Sequence, residues 1–185
     1  MKLNDKRGFT LIEVIVVAGI IAILAGILVP MIFNQIDESK RTRATADCKS
    51  ISTAVLTFKK DVGRWPNLQS GTNNFSFLYG PGYAPGGAFD AQLSAQNYTL
   101  APSDSLNNHL NSNDPPYTAA LWKGPYMTGM GLDPWGNPYV IDATGLNDNT
   151  TPVWVISAGP NGIFETLRGT QELDANKDDI GIRIK

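Results

Sequence analysis

Two groups of residues in this 185-residue chain have types and spacing that invite chemistry, and both offer oxygen rather than a nucleophile. The first is Asp174-Ala175-Asn176-Lys177-Asp178-Asp179, where hard oxygen donors crowd together, as calcium needs with its roughly 6–8 oxygen ligands. An EF-hand reading fails, because Asp179 stands where that loop requires glycine and Lys185 where it requires glutamate. The plain alternative is a solvated acidic loop. The second is Glu13, a lone carboxylate inside an apolar run from Phe9 to Phe33 that is also interrupted by Pro30. A carboxylate at membrane depth costs on the order of 2.5–3.5 kcal/mol, so it calls for a partner. Cleavage between Gly8 and Phe9 would create one, an α-amine a few residues from Glu13 or its copy on a neighbouring subunit. Other chemistry is thin. Cys48 is the only cysteine, which excludes an intramolecular disulfide and a C-x-x-C-H haem site, and its helical position suits a small buried hydrophobe. His109, the only histidine, falls in a polar, loop-like segment and reads as satisfied or solvated rather than catalytic. With no nucleophile elbow, phosphate loop or catalytic metal spacing, the chain reads as a non-enzyme.

The elements around these residues follow from periodicity. As a helix, Phe9–Phe33 would rise about 37 Å, enough to cross roughly 30 Å of hydrocarbon. It is longer than the apolar core of about 7–15 residues in a cleaved secretory signal. Lys2, Lys6 and Arg7 precede it, which holds the N-terminus in the cytoplasm and places the rest outside. After the polar run Asn34–Arg43, the residues Ala44, Cys48, Ile51, Val55, Phe58 and Val62 recur at spacings of 4, 3, 4, 3 and 4, an apolar stripe on one helical face. Gly63 supplies a C-cap and Pro66 prevents resumption. The expectation is one helix of about fifty residues, apolar all round in its first half and one-sided in its second. Pro30 cannot donate to the carbonyl of Gly26, and with Gly19 and Gly26 nearby this is the weakest part of the helix. Asn67–Pro116 is loop-like but rich in aromatics, with a short helix expected over Ala88–Gln96. Asp133-Pro-Trp-Gly-Asn-Pro-Tyr139 makes a rigid turn into a strand at Tyr139–Asp142. Val153–Ser157 and the alternating Ile180, Ile182 and Ile184 are two more strands. The fold class is α+β, a long N-terminal helix packed on a small antiparallel sheet. At 42% hydrophobic, 17% charged and a net charge of −2, the chain has the composition of a folded protein without the basic face that nucleic acid requires.

Gly8-Phe9-Thr10-Leu11-Ile12-Glu13-Val14 after a short basic leader resembles the class III signal of type IV pilins and of the pseudopilins of type II secretion systems. The resemblance implies that a prepilin peptidase cuts between Gly8 and Phe9 and that Phe9 is N-methylated. Glu13 would then guide each subunit into a helical homopolymer whose core contains Pro30, with a kink or stretch expected at Gly26–Pro30 in the fibre. The domain plan it implies is a leader at 1–8, a transmembrane and fibre-core helix at 9–33, and a periplasmic globular domain at 34–185. That domain comprises an amphipathic helix (34–62), a variable loop region (67–132), and a β-sheet with a C-terminal loop (133–185). Gly124-Pro125-Tyr126 and Asp133–Tyr139 further resemble the signature of the major pseudopilins, a type IV pilin-like family, as does Gly63-Arg64-Trp65-Pro66 at the helix exit. The function implied is that of a structural subunit of a periplasmic pseudopilus anchored in the bacterial inner membrane. With minor pseudopilins and an inner-membrane assembly platform, it would help export folded proteins across the outer membrane. A type IV pilus subunit for adhesion, motility or uptake is the alternative, and the long Asn67–Pro116 segment favours it or a minor, specialised role. Ser157-Ala-Gly-Pro-Asn-Gly162 followed by Asp178-Asp179-Ile180 resembles the family's calcium loop. Carried across, Asn161, Asp178 and Asp179 would give side-chain oxygens, and Ala158 and Ile163 carbonyls, to a structural calcium ion. Asn161 replaces the usual aspartate, and the intervening segment is longer. A serine ligand has no counterpart there, leaving Thr166, Thr170, Glu165 or Asp174 as substitutes.

Overall fold

The structure is a computed structural model that describes residues 8–114, 117–118 and 120–185; the leader residues Lys2, Lys6 and Arg7 lie outside the described residues. The chain divides into two units, Met1–Ser39 and Lys40–Lys185. Helix α1 runs from Leu11 to Val62, 52 residues, and continues through Pro30. In the first unit its large apolar side chains from Leu11 to Phe33 are all exposed. The helix is long and apolar enough to cross a membrane, with a mean hydropathy of 2.9 over its most apolar stretch.

In the second unit the same helix becomes one-sided. Ala44, Cys48, Ile51, Val55, Phe58 and Val62, the residues of the apolar stripe, are all buried. Gly63 ends the helix with a φ of +79°, where a side chain would be strained, and its N–H reaches Lys59 O at 2.9 Å. Trp65 then folds back under the Lys59 ammonium, 3.5 Å from the ring centroid.

The elements that follow are β1 (Leu68–Ser70), β2 (Asn73–Asn74), β3 (Phe77–Tyr79), α2 (Ala88–Ala95), β4 (Ser103–Ser105) and α3 (Leu106–Leu110). Then come β5 (Tyr139–Asp142), a 3-10 turn at Thr144–Asn147, β6 (Trp154–Ser157) and β7 (Ile180–Arg183). Strands β1 and β2 form a small ribbon, while the main sheet has the order β4-β3-β5-β6-β7. The three expected strands are β5, β6 and β7, each antiparallel to its neighbour. The sheet is nevertheless larger than expected and not wholly antiparallel, because the 67–116 segment contributes β3 and β4, which pair in parallel.

Alternation across the strands explains why all of β5 is buried. Tyr139 and Ile141, with Val155 of β6, face the stripe of α1 in one apolar cluster. Val140 and Ile156 point the other way, into a second cluster with Phe77, Tyr83, Leu93, Tyr98 and Phe164. The 67–116 segment is therefore the second cover of the sheet. Its aromatics are present because one helix covers only one face.

Candidate functional site

At the start of α1, Thr10 and Glu13 form a reciprocal pair. The Thr10 backbone N–H and hydroxyl donate to Glu13 Oε2 at 2.8 and 2.7 Å, and the Glu13 N–H points back at Thr10 Oγ1 at 3.4 Å. This is a capping box, with Thr10 as N-cap and Glu13 at the third helical position. The sequence reading of Glu13 missed Thr10, although the Thr-x-x-Glu spacing was there to be read. Gly8 and Phe9 precede the cap in an exposed, non-helical stretch.

The second group centres on Asp133, the first residue of the Asp133–Tyr139 turn, which is 4% exposed. Its Oδ1 accepts the N–H groups of Trp135 (3.0 Å) and Asn137 (2.7 Å), closing the turn. Its Oδ2 accepts the Ser157 hydroxyl at 2.6 Å, and Ser157 Oγ in turn accepts the Gly159 N–H at 3.1 Å. Asn137 Nδ2 also donates to Gly159 O at 3.3 Å. The Asp133–Tyr139 turn and the Ser157–Gly162 loop, read separately in the sequence, are thus fastened together. Gly159 is required where it stands: its φ is +67°, and a Cβ there would come within 2.1 Å of Asp178 O.

The acidic run Asp174–Asp179 does not converge on one point. Asp174 Oδ1 accepts from Asn176 N–H and Nδ2 in an exposed turn. Asp178 Oδ1 pairs with Arg41 Nη2 on α1 at 3.3 Å. Asp179, 7% exposed, turns inward, where its Oδ2 accepts the N–H groups of Glu165 (2.9 Å) and Thr166 (2.6 Å). Its Oδ1 is sealed from solvent and has no hydrogen-bond partner among the described residues. Burial, reinforced by the Glu165 carboxylate, holds the Asp179 pKa above the usual carboxylate value despite the two amide bonds. Asn161 belongs to the same loop: its Oδ1 accepts the Ile163 N–H at 2.8 Å and its Nδ2 donates to Glu165 Oε2 at 3.1 Å. Ala158 is buried and Ile163 exposed. Lys177 Nζ holds Glu165 O at 2.6 Å. No trio of His, Cys, Asp or Glu side chains is arranged to bind a metal among the described residues. What the loop offers is two carboxylates, one amide and backbone carbonyls, a donor set of oxygens alone.

Cys48 and His109 carry no exposed chemistry. Burial, with help from Asp47 and Asp133, pushes the Cys48 thiol up to about 12, so it is inert at neutral pH. His109 is fully buried in α3, and is neither in a loop nor solvated as its polar surroundings in the sequence suggest. Its Nδ1 sits 2.6 Å from the Tyr117 hydroxyl and its Nε2 3.2 Å from Asp104 Oδ2.

Two known families match separate stretches of the chain, and curated relatives align along most of it. Residues 3–29 match the prokaryotic N-terminal methylation motif. Residues 92–176 match the family "Type II secretion system (T2SS), protein G". Among curated relatives, the type II secretion system core protein G of Pseudomonas aeruginosa is 29% identical over 163 residues, 88% of this chain and 89% of that one. The core protein G of Escherichia coli K12 is 27% identical over 90% of each chain. That of Klebsiella pneumoniae is 26% identical over 97% of this chain and 95% of its own. No solved structure matches.

Proposed function

We propose that the chain is a major pseudopilin of the type II secretion protein G family, and that its own residues perform that structural role as follows. Prepilin peptidase cleaves between Gly8 and Phe9, Phe9 is N-methylated, and the mature protein is held in the inner membrane by residues 9–33, with residues 34–185 in the periplasm. Glu13 then pairs with the α-amine of a neighbouring copy, and the subunits assemble into a fibre with minor pseudopilins on an inner-membrane platform. Pro30, which cannot donate to Gly26 O, marks where the helix gives way in the fibre. The fibre helps move folded proteins across the outer membrane. The observation that carries this reading is the exposed apolar surface of α1 from Leu11 to Phe33, which begins beside the one carboxylate of that stretch. Large contiguous apolar surfaces need lipid or protein to cover them.

The loop Ser157–Asp179 fits a structural calcium ion. Its donors are oxygens, the type calcium prefers, and the buried Asp179 Oδ1 has no partner among the described residues. Calcium there would supply positive charge and cross-link the segments 157–163 and 178–179. Ala158, Asn161, Ile163, Asp178 and Asp179 are the residues the sequence nominates to hold it.

The test is complementation of a secreting strain that lacks its own major pseudopilin. The wild-type chain restores secretion. Gly8→Ala leaves the precursor unprocessed, and Glu13→Ala is processed yet forms no fibre. A strain that secretes normally without this chain but loses surface fibres would overturn the secretion reading.

A further inference from the structure

We infer that the cation loop of this chain recruits Glu165 as its second carboxylate, and that Asp178 is diverted to fasten the loop to α1 through Arg41. The inference rests on the calcium reading above and departs from the ligand set that the sequence nominates. Asp178 and Asp179 are adjacent, and they lead directly into β7. Side chains of successive residues in extended chain point to opposite sides, so two neighbouring carboxylates do not readily meet at one ion. The structure shows that divergence: Asp178 reaches Arg41 at 3.3 Å, while Asp179 is 7% exposed and turned towards residues 165–166.

Glu165 is placed where Asp178 is not. Its N–H binds Asp179 Oδ2, which seats residue 165 against the buried carboxylate. Its Oε2 is held by Asn161 Nδ2 at 3.1 Å, so the side chain turns along the loop towards the amide nominated as a ligand. Asp179 Oδ1, sealed from solvent and without a partner among the described residues, supplies the independent sign of a ligand at this loop. The Glu165 carbonyl, by contrast, is occupied by the Lys177 ammonium, which leaves the carboxylate as the donor residue 165 can give. The charge balance agrees. With Asn161 neutral and Asp178 paired with Arg41, Asp179 alone would bring charge to the ion, and calcium affinity follows ligand charge. Glu165 adds a second charge, whereas drawing Asp178 inward would strip Arg41 of its partner.

The experiment uses the full-length chain in detergent micelles, titrated with calcium chloride by calorimetry and by thermal unfolding. The expected result is that Glu165→Gln weakens calcium binding by about tenfold or more, as removal of one ligand charge should. Asp178→Asn and Arg41→Gln are expected to lower Tm by equal amounts with and without calcium and to leave the calcium Kd within about threefold, because neither changes a ligand. Glutamine keeps the acceptor that Asn161 uses, so Glu165→Gln should fold. If Asp178→Asn weakens calcium binding while Glu165→Gln does not, the assignment is overturned and the calcium reading stands. If the wild-type chain binds no calcium, the calcium reading falls and the assignment with it.

Discussion

Removing the Asp133 carboxylate should do more damage than its place in a surface turn suggests. The carboxylate accepts three hydrogen bonds, from Trp135 N–H, Asn137 N–H and the Ser157 hydroxyl, and is 4% exposed. Hydrogen bonds to a charged group contribute about 1.5–3 kcal/mol each, and the contributions of shared partners do not add. Asp133→Ala leaves all three donors unpaired and is expected to cost about 4 kcal/mol, in the range for breaking a buried charged network. Asp133→Asn keeps an acceptor for the two amides but presents a donor to Ser157 Oγ, which already accepts from Gly159 N–H. Its expected cost is about 1.5–2 kcal/mol, one lost charged bond. Urea unfolding of the full-length chain in detergent, followed by tryptophan fluorescence, measures both. Trp65, Trp122, Trp135 and Trp154 all lie within Lys40–Lys185, so the signal reports that unit. A second consequence is specific to this network: in Asp133→Ala, the Gly159 segment should become sensitive to proteolysis, because its tether through Ser157 is gone. A loss below about 1 kcal/mol for alanine, or equal losses for alanine and asparagine, would refute the account of Asp133 as the residue joining the two loops.

Three further outcomes follow from the same geometry. Cys48, its thiol pushed up to about 12 by burial, should resist iodoacetamide in the native chain and label only on unfolding; rapid labelling without denaturant would contradict its burial. Asp148 is held below the usual carboxylate range by bonds from Thr151 and Thr150, with Lys185 opposite. Because its folded pKa lies below its unfolded value near 3.9, its stabilisation is present above about pH 4 and is lost as pH falls further. Asp148→Asn should flatten that acid limb of the stability profile, measured as Tm against pH. Tyr117→Phe removes the hydroxyl that accepts from Leu68 N–H and meets His109 Nδ1. It should cost about 1–3 kcal/mol in urea unfolding, the range for stranding buried polar groups.

What could be read from the sequence was what repeats over many residues or depends on a local motif. The stripe from Ala44 to Val62 spans five helical intervals, and every member is buried. Strands β5, β6 and β7 announced themselves by flanking turns and by the alternation of Ile180, Ile182 and Ile184. Strands β3 and β4 did not, because each is three residues long, and Ser103-Asp104-Ser105 carries no apolar signal at all. The helical setting of His109 has no sequence signal because α3 is only five residues long; its polar partners are Tyr117 and Asp104, which sequence spacing does not bring together. The same holds at the acidic loop. The crowding of Asp174, Asp178 and Asp179 is real in one dimension, yet their side chains diverge. The partner of Asp178 is Arg41, 137 residues earlier. Contacts of that range are set by the packing of the sheet on α1, and no local pattern encodes them.

The exposed half of α1 raises a question that hydrophobicity alone does not answer. Burying one large aliphatic side chain from water is worth about 1.5–3 kcal/mol, so the residues from Leu11 to Phe33 cannot remain hydrated. Lipid and a bundle of identical helices satisfy them about equally, because lipid tails are as apolar as leucine. The hydrophobic effect thus keeps the segment out of water without choosing between bilayer and fibre. A choice requires a group that interacts differently with the two surroundings. Glu13 is the one charged residue from Phe9 to Phe33. In lipid its carboxylate costs on the order of 2.5–3.5 kcal/mol, eased by the two bonds from Thr10. Beside a neighbour's Phe9 amine, as proposed, the same charge is paired. Glu13→Ala should therefore abolish the preference for the fibre while leaving membrane insertion intact. Adding apolar surface elsewhere on the span, as in Gly19→Leu, where a side chain meets nothing within 4 Å, should not rescue assembly. Rescue by Gly19→Leu in a fibre-formation assay would show that burial, and not the carboxylate, decides between the two states.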